Sequence, residues 1–159
     1  MAQEIERKFR VVGEYKHLAH CSMHLVQGYI ASGSRTVRVR IADNKAWLTI
    51  KSASKDGGLS RFEWEKEITM SEALELMPMA VGSIIEKYRH LVEYKGHTFE
   101  VDEFLGENDG LTIAEVELTT LDEEFERPEW LGEEVTGIKR YYNSHLRAYP
   151  YKSWSTEER

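Results

Sequence analysis

The stretch EIERK, residues 4–8, carries the pattern that decides the fold. It places Glu4, Glu6 and Lys8 at alternate positions, with a single residue between each of them. In a β-strand, alternate side chains point to the same side of the sheet, so these three charged groups would stand in a row. Such a row is either an ordinary solvated face or part of a charged interior.

Alternation with a period of two continues along the chain in short segments. Turn-forming residues separate them in ADNKA, KDGGLS, YKGHT and GENDGL, as antiparallel hairpins require. The pattern therefore predicts an α+β protein that is mainly β, arranged as an antiparallel barrel or a sandwich. The eight candidate strands are EIERKFRV, HLVQGYIA, RTVRVRIA, KAWLTIKS, RFEWEKEI, IIEKYRHLVEY, HTFEVDEF and LTIAEVELT.

Two segments favour helix. SEALELM has a plausible N-cap in Ser71 and ends before Pro78, and VTGIKRYYNSHLRAY near the C-terminus is the second candidate. No repeat or linker divides the chain, so we expect one domain over residues 1–150 followed by a tail, residues 151–159.

The composition of the chain disfavours several classes of function. The formal charge of −7 at pH 7 is unfavourable for a nonspecific nucleic-acid binder, which usually carries a basic surface. We find no apolar run long enough to span a membrane and no signal-peptide pattern at the N-terminus. Cys21 is the only cysteine, which excludes an intramolecular disulfide and favours a reducing compartment, the cytoplasm.

Charges of the same sign sit two residues apart on several candidate strands, which is unusual for a face selected only for solubility. Arg38 with Arg40 is one basic pair, and Glu115 with Glu117 is one acidic pair. If these faces pointed into a barrel, the basic groups would suit phosphate oxygens, and the carboxylates would suit a hard cation such as Mg²⁺ or Mn²⁺. Spacing alone leaves the inward and outward orientations open.

The ordered set of motifs resembles the CYTH, or triphosphate tunnel metalloenzyme, superfamily, and most of all its short bacterial members. EIERK matches the ExExK motif of that family, and the likeness continues in order through TVRVRI, LTIK, RFEWE, IEKYRHLVEY, FEVDEF and AEVEL to VTGIKRYYNSHL. The resemblance implies an eight-stranded antiparallel β-barrel with a few peripheral helices, whose charged faces point inward and bind a triphosphate with a divalent metal ion. One departure is Ile138, where the family pattern has an acidic residue before the lysine.

The same resemblance implies roles for individual residues. Those expected to bind the metal ion are Glu4, Glu6, Glu65, Glu115 and Glu117, with Glu63 and Asp102 in addition. Those expected to bind phosphate are Lys8, Arg38, Arg40, Lys51, Lys87 and Arg89, with Lys139 from the C-terminal helix. Lys8 and Tyr29 are the candidates for catalysis, on the expectation that Tyr29 approaches Lys8 from the neighbouring strand.

Among the reactions that the resemblance implies, hydrolysis of inorganic tripolyphosphate is the first choice, because no segment indicates a pocket for an organic group. Class IV-type adenylate cyclase and thiamine triphosphatase are the enzymatic alternatives. A noncatalytic polyphosphate-binding module is the alternative from another class, although a binder would gain more from additional Lys or Arg than from glutamate pairs. A small molecule containing a triphosphate is the expected partner, with a homodimer left open.

Overall fold

The computed structural model of the chain describes residues 3–54 and 56–159. Three residues lie outside the described ones. They are Met1 and Ala2, which begin the predicted domain, and Lys55, the first residue of the predicted turn KDGGLS. The strands are β1 Gln3–Val11, β2 Cys21–Ala31, β3 Thr36–Ala42, β4 Lys45–Lys51, β5 Ser60–Ile68, β6 Ile85–Tyr94, β7 His97–Phe104, β8 Thr112–Glu117 and β9 Leu131–Glu134.

Eight of these strands close into a barrel in which every pairing is antiparallel. The order runs β5-β4-β3-β2-β6-β7-β8-β1, and the first residues of β1 pair back onto β5, with Glu4 opposite Arg61. The short ninth strand pairs with the second half of β1. The predicted mainly β fold with an eight-stranded antiparallel barrel is therefore confirmed. Sequence patterning missed β9, which has only four residues.

The apolar sides of the strands face outward, where loops and helices cover them. On β1, Ile5 and Phe9 are buried in a cluster with Phe99 and Trp130, outside the barrel wall. Their neighbours Glu4, Glu6 and Lys8 alternate with them and therefore face the interior. The inward orientation that spacing left open is the one the structure has.

One α-helix, α1 Met70–Leu76, covers the wall beside β3 and β4 through Ala73. Its N-cap is Thr69 and not Ser71, because the Thr69 hydroxyl accepts from the Glu72 N–H while the Glu72 carboxylate accepts from the Thr69 N–H. This reciprocal capping box satisfies two free donors at the helix start. The turn that follows α1 approaches the barrel at Gly28, where any Cβ would lie 2.8 Å from the Ala80 methyl.

The predicted C-terminal helix over VTGIKRYYNSHLRAY is mostly absent. A 3-10 turn spans Lys139–Tyr141, and the second α-helix, α2, spans only Asn143–Leu146. Between them Tyr142 has an extended backbone, with φ −77° and ψ 137°, which interrupts helical geometry. Trp154, from the predicted tail, is buried edge-to-face against Tyr141 and so pins this segment to the barrel.

Across the described residues, no helix is both long enough and apolar enough to cross a membrane.

The capping box gives a direct test of the α1 boundary. Thr69→Ala should lower the free energy of unfolding by about 1 kcal/mol, because it removes the acceptor for the Glu72 N–H. Ser71→Ala, at the N-cap suggested by the sequence, should change it by less than about 0.5 kcal/mol. Urea unfolding of both variants measures the difference, and equal losses would contradict the assigned helix start.

Candidate functional site

A cavity of about 210 Å³ lies inside the barrel, and every one of the eight barrel strands contributes at least one side chain to it. We call it the inner cavity. Its lining residues are Glu4, Glu6, Lys8, Tyr29, Thr36, Arg38, Arg40, Thr49, Lys51, Arg61, Glu63, Glu65, Lys87, Arg89, Glu100, Glu115, Glu117, Tyr142, Asn143 and Ser144.

The structure brings together all the site residues predicted from sequence except Asp102 and Lys139. Sequence reasoning missed Arg61 and Glu100 as lining residues, although both alternate with apolar positions on their strands and could have been found by that signal. The C-terminal contributors, Tyr142 and Asn143 among them, follow no periodic pattern. With these additions the cavity is lined by seven Lys or Arg and seven Glu side chains.

One group of charges connects β1, β4 and β5. The Lys51 ammonium lies 2.7 Å from the Glu4 carboxylate and 3.3 Å from that of Glu63. Burial opposes ionisation of Glu4, but the Lys51 charge together with the hydrogen bonds to Glu63 and Lys51 outweighs it and lowers the pKa of Glu4. A hydrogen bond shared with Glu4 and the effect of burial raise the pKa of Glu63 to about 7. The two carboxylates thus hold one proton between them near neutral pH.

A second group lies between β1 and β8. The Lys8 Nζ is 3.4 Å from Glu115 and 4.8 Å from the centre of the Tyr142 ring. Burial opposes the charged form of Lys8, but Glu115 and Glu6 outweigh it and raise the pKa of Lys8. Burial and then the Glu115 charge raise the pKa of Glu6 well above its ordinary value. Lys8 therefore remains a cation at neutral pH, and Glu6 holds a proton more tightly than Glu115 does.

A third group lies beneath the cavity, where Asp102 binds two of the basic side chains. Its Oδ2 accepts from the Lys87 ammonium at 2.7 Å, and both its oxygens accept from the Arg89 guanidinium, at 2.8 and 3.0 Å. Asp102 is only 2% exposed and does not line the inner cavity. Its oxygens are occupied by these cations, so we do not retain Asp102 among the proposed metal ligands.

Arg40 differs from the other basic residues of the cavity. Within residues 3–54 and 56–159, no carboxylate lies within ion-pair distance of its guanidinium, whereas Arg38 approaches Glu65 to 3.6 Å. The hydrogen-bond partner of Arg40 is the neutral side chain of Gln27, whose Oε1 accepts from Nε at 2.9 Å. Burial, followed by the charges of Arg38 and Arg89, lowers the pKa of Arg40. Arg40 thus offers a positive charge that the protein itself does not neutralise.

Tyr29 lines the same cavity as Lys8, but the expected approach from a neighbouring strand is wrong. Tyr29 lies on β2, which pairs with β3 and β6, whereas Lys8 lies on β1, which pairs with β5, β8 and β9. The Tyr29 hydroxyl oxygen accepts from the Gln27 Nε2 at 3.3 Å. Any cooperation between the two residues would therefore act across the cavity.

Lys139 lines a second cavity of about 630 Å³, which adjoins the inner cavity through shared lining residues such as Glu6 and Lys8. Small residues of the loop between β4 and β5, including Gly57 and Gly58, form one wall of it. Gly137, with φ 80°, packs so tightly against the carbonyl of Gly57 that a Cβ would overlap it. Lys139 therefore lines an outer cavity that Lys8 and Arg61 of the inner cavity also line.

The carboxylates of the inner cavity suit a hard divalent cation. The Glu4 Oε1 is buried and has no hydrogen-bond partner among the described residues. Burial and the neighbouring carboxylates raise the pKa of Glu117 as well as that of Glu6, so the crowded acidic groups retain protons that a cation would displace. No three His, Cys, Asp or Glu side chains of the described chain form a ready-made metal centre.

The Asp102 network predicts a large loss of stability on substitution. Asp102→Asn should lower the free energy of unfolding by about 3–5 kcal/mol, because it leaves Lys87 buried without a carboxylate partner among the described residues and Arg89 with Glu100 alone. The matched change Glu103→Gln breaks a surface pair with Lys16 and should cost less than about 1 kcal/mol. Urea unfolding at pH 7 measures both, and similar losses would contradict the role given to Asp102.

The Asp102 network also makes the stability of the fold depend on pH. Burial would raise the pKa of Asp102, but Arg89 and then Lys87 lower it to about 2, from an ordinary value of 3.8. A depressed folded-state pKa stabilises the fold at pH values above the ordinary pKa, and this stabilisation is lost as the pH falls toward the folded-state value. The free energy of unfolding of Asp102→Asn should therefore fall less between pH 4 and pH 2 than that of the unmodified protein. Parallel curves of the free energy of unfolding against pH would contradict this assignment.

Comparison with known proteins agrees with this architecture. Residues 2–144 match the model of the CYTH domain family. An inorganic triphosphatase of Acetivibrio thermocellus is 46% identical over 157 residues, which cover 97% of this chain and 99% of the relative. One from Nitrosomonas europaea is 36% identical over 148 residues, covering 90% and 95% of the two chains.

Solved structures agree as well. The crystal structure of an inorganic triphosphatase aligns with a TM-score of 0.66 at 34% identity, covering 92% of this chain and 95% of that one. The family model and these relatives extend over nearly the whole barrel and its C-terminal segment. The chain belongs to the CYTH domain family.

Proposed function

We propose that this protein hydrolyses a triphosphate, with inorganic tripolyphosphate as the preferred substrate, inside the inner cavity and with a divalent metal ion. The observation that carries the proposal is the lining of that cavity by seven cationic and seven carboxylate side chains drawn from the barrel strands. The names of the relatives, inorganic triphosphatases at 46% and 36% identity, support it. Phosphoryl transfer of this kind depends chiefly on positioning and charge stabilisation.

Charge balance makes the metal ion part of the proposal. With its Lys, Arg and Glu side chains all ionised, as they would be once a cation displaces the protons of the crowded carboxylates, the cavity carries seven positive and seven negative charges, which cancel. A triphosphate brings several further negative charges, so it needs additional cations to enter a partly buried site. Triphosphatases of the CYTH family are metal-dependent in general, and we propose Mg²⁺ or Mn²⁺, which prefer carboxylate and phosphate oxygens.

Glutamates of the inner cavity would hold the ion. Because no ready-made metal centre exists among the described residues, phosphate oxygens would complete the ligand set, as is usual for Mg²⁺. When bound, the ion would neutralise phosphate oxygens and lower the pKa of a water molecule. The proposed ligands are Glu4, Glu6, Glu65, Glu115 and Glu117, with Glu63.

The basic side chains would grip the phosphate chain. Arg40 is the most available of them, since its partner is the neutral Gln27, and a guanidinium can bind phosphate oxygens bidentately. Lys8 stays protonated because Glu115 and Glu6 raise its pKa, so it would stabilise developing negative charge as a fixed cation. The proposed grip also includes Arg38, Lys51, Lys87 and Arg89, with Lys139 at the outer cavity.

Tyr29 is proposed to act through its hydroxyl hydrogen. Because the hydroxyl oxygen accepts from Gln27, the phenolic hydrogen is available to donate to a phosphate oxygen in the cavity. That donation would orient the substrate or assist proton transfer to the leaving phosphate.

We further propose a cytoplasmic location, which suits the free, exposed Cys21. We also propose a homodimer, to be tested by analytical ultracentrifugation.

Substrate chain length tests the proposal. The kcat/KM for tripolyphosphate should exceed that for pyrophosphate at least tenfold, because a shorter chain leaves charged groups unpaired and each lost charge-assisted contact costs about 1.5–3 kcal/mol. Phosphate release with Mg²⁺ and with Mn²⁺ measures the ratio, with ATP and thiamine triphosphate assayed in parallel. Equal efficiencies would contradict the three-phosphate site, and cyclic AMP formed from ATP would favour the cyclase alternative.

Substitutions of acidic and of basic cavity residues should change different kinetic constants. Glu6→Gln should lower kcat at least about tenfold and raise the Mg²⁺ concentration that gives half-maximal rate, whereas Arg40→Ala should mainly raise KM. Lys66→Ala removes an exposed cation from β5 and serves as the matched control, with both constants unchanged. Full activity of Glu6→Gln at limiting Mg²⁺ would exclude Glu6 as a ligand.

A further inference from the structure

Gln27 is a fully buried polar residue at the centre of β2, with every polar atom of its side chain engaged. Its Oε1 accepts from the Arg40 Nε at 2.9 Å. Its Nε2 donates to the Tyr29 hydroxyl at 3.3 Å and to the Asn143 Oδ1 at 3.2 Å. Because an ammonium or guanidinium can only donate, the Arg40 contact fixes which end of the amide is oxygen.

Asn143 completes the connection from the C-terminal segment. Its Oδ1 accepts from the Lys87 ammonium at 2.8 Å as well as from Gln27. Both partners are donors, so the orientation of this amide is fixed in the same way. A continuous chain of hydrogen bonds therefore joins Arg40 to Lys87 through two neutral amides, although β3 and β6 do not pair with each other.

We propose that Gln27 and Asn143 are positioning residues, which hold the charged ends of Arg40 and Lys87 in the arrangement that a phosphate chain requires. The inference rests on the proposed function, since it assumes that these cations bind phosphate. It extends the site to two residues that the charge pattern of the strands does not reveal.

The neutrality of both amides is the physical reason for the assignment. A carboxylate at position 27 could also accept from Arg40, but it would cancel the one cavity cation that has no carboxylate partner among the described residues. It would also place a second acceptor against the Asn143 Oδ1, whose contact is now a donated hydrogen bond. A neutral amide orients the guanidinium and leaves its charge available to the substrate.

Asn143 also brings the C-terminal segment into the inner cavity. It begins α2, and its neighbours Tyr142 and Ser144 line the cavity with it. The hydrogen bond to Lys87 therefore comes from a segment that lies outside the barrel strands. The segment thus does more than cover one end of the barrel.

Steady-state kinetics of four proteins tests the proposal: the unmodified chain, Asn143→Ala, Gln27→Met and Leu146→Ala, with tripolyphosphate and saturating Mg²⁺. Gln27→Met keeps the length of the side chain and removes its hydrogen bonds. Leu146→Ala is the matched control, because it weakens packing of the same segment at a fully buried position without touching a basic residue. Thermal unfolding of each protein gives its Tm.

Asn143→Ala and Gln27→Met should each raise KM about tenfold and change kcat less than about threefold. Leu146→Ala should lower Tm at least as much as Asn143→Ala does and leave KM within about twofold. The proposal is overturned if both amide variants keep the original KM, or if Leu146→Ala raises KM equally, since the effect would then be structural.

The control reactions separate this inference from the function on which it rests. An unmodified protein that does not hydrolyse tripolyphosphate would refute the proposed function itself. An active unmodified protein with unaltered amide variants would refute the positioning role alone. If Asn143→Ala does not fold, Gln27→Met decides the question, because the two variants interrupt the same chain of hydrogen bonds.

Discussion

Compensation of buried charge inside a closed barrel is the constraint on which this structure depends. Fourteen Lys, Arg and Glu side chains line the inner cavity, and removing isolated charges from water is costly unless they are paired and hydrogen-bonded. Antiparallel register supplies the partners: Lys51 lies opposite Glu63 on β4 and β5, and Arg89 lies opposite Asp102 on β6 and β7. Opposite charges at these facing positions offset part of the cost of the charged interior, whereas Glu6 faces Glu117 and Glu100 faces Glu115.

That compensation also shapes the chemistry. Once a cation displaces the protons of the crowded carboxylates, the positive and negative side chains of the cavity cancel, so we expect the metal ion to balance the negative charge of the proposed substrate. The side chains that are not simply paired with an opposite charge are therefore informative. Arg40 is held by a neutral amide. Burial and then the neighbouring carboxylates raise the pKa of Glu6, and a hydrogen bond with Glu4 and then burial raise that of Glu63. One group is suited to phosphate and the other to a cation, which gives the two kinds of charge different roles.

Much of this arrangement is predictable from the sequence, because alternation in strands is a local rule. Glu4, Glu6 and Lys8 share a face in any β-strand, and the eight predicted strands correspond closely to those observed. Strand alternation does not predict features that lie outside the strands. The start of α1 depends on the side chain of Thr69, and Asn143 reaches the cavity only through packing of an irregular segment. Asp102 follows the alternation, yet the two cations beside it, which the spacing does not reveal, give it another role.

The most direct test of the central claim is a crystal structure of the protein with tripolyphosphate and Mn²⁺, analysed by anomalous scattering. The account predicts a manganese peak beside the glutamates of the inner cavity, with three phosphorus atoms extending along Arg40 and Lys87. A phosphate chain bound outside the barrel, or a manganese peak at surface carboxylates with the inner cavity filled only by water, would contradict it.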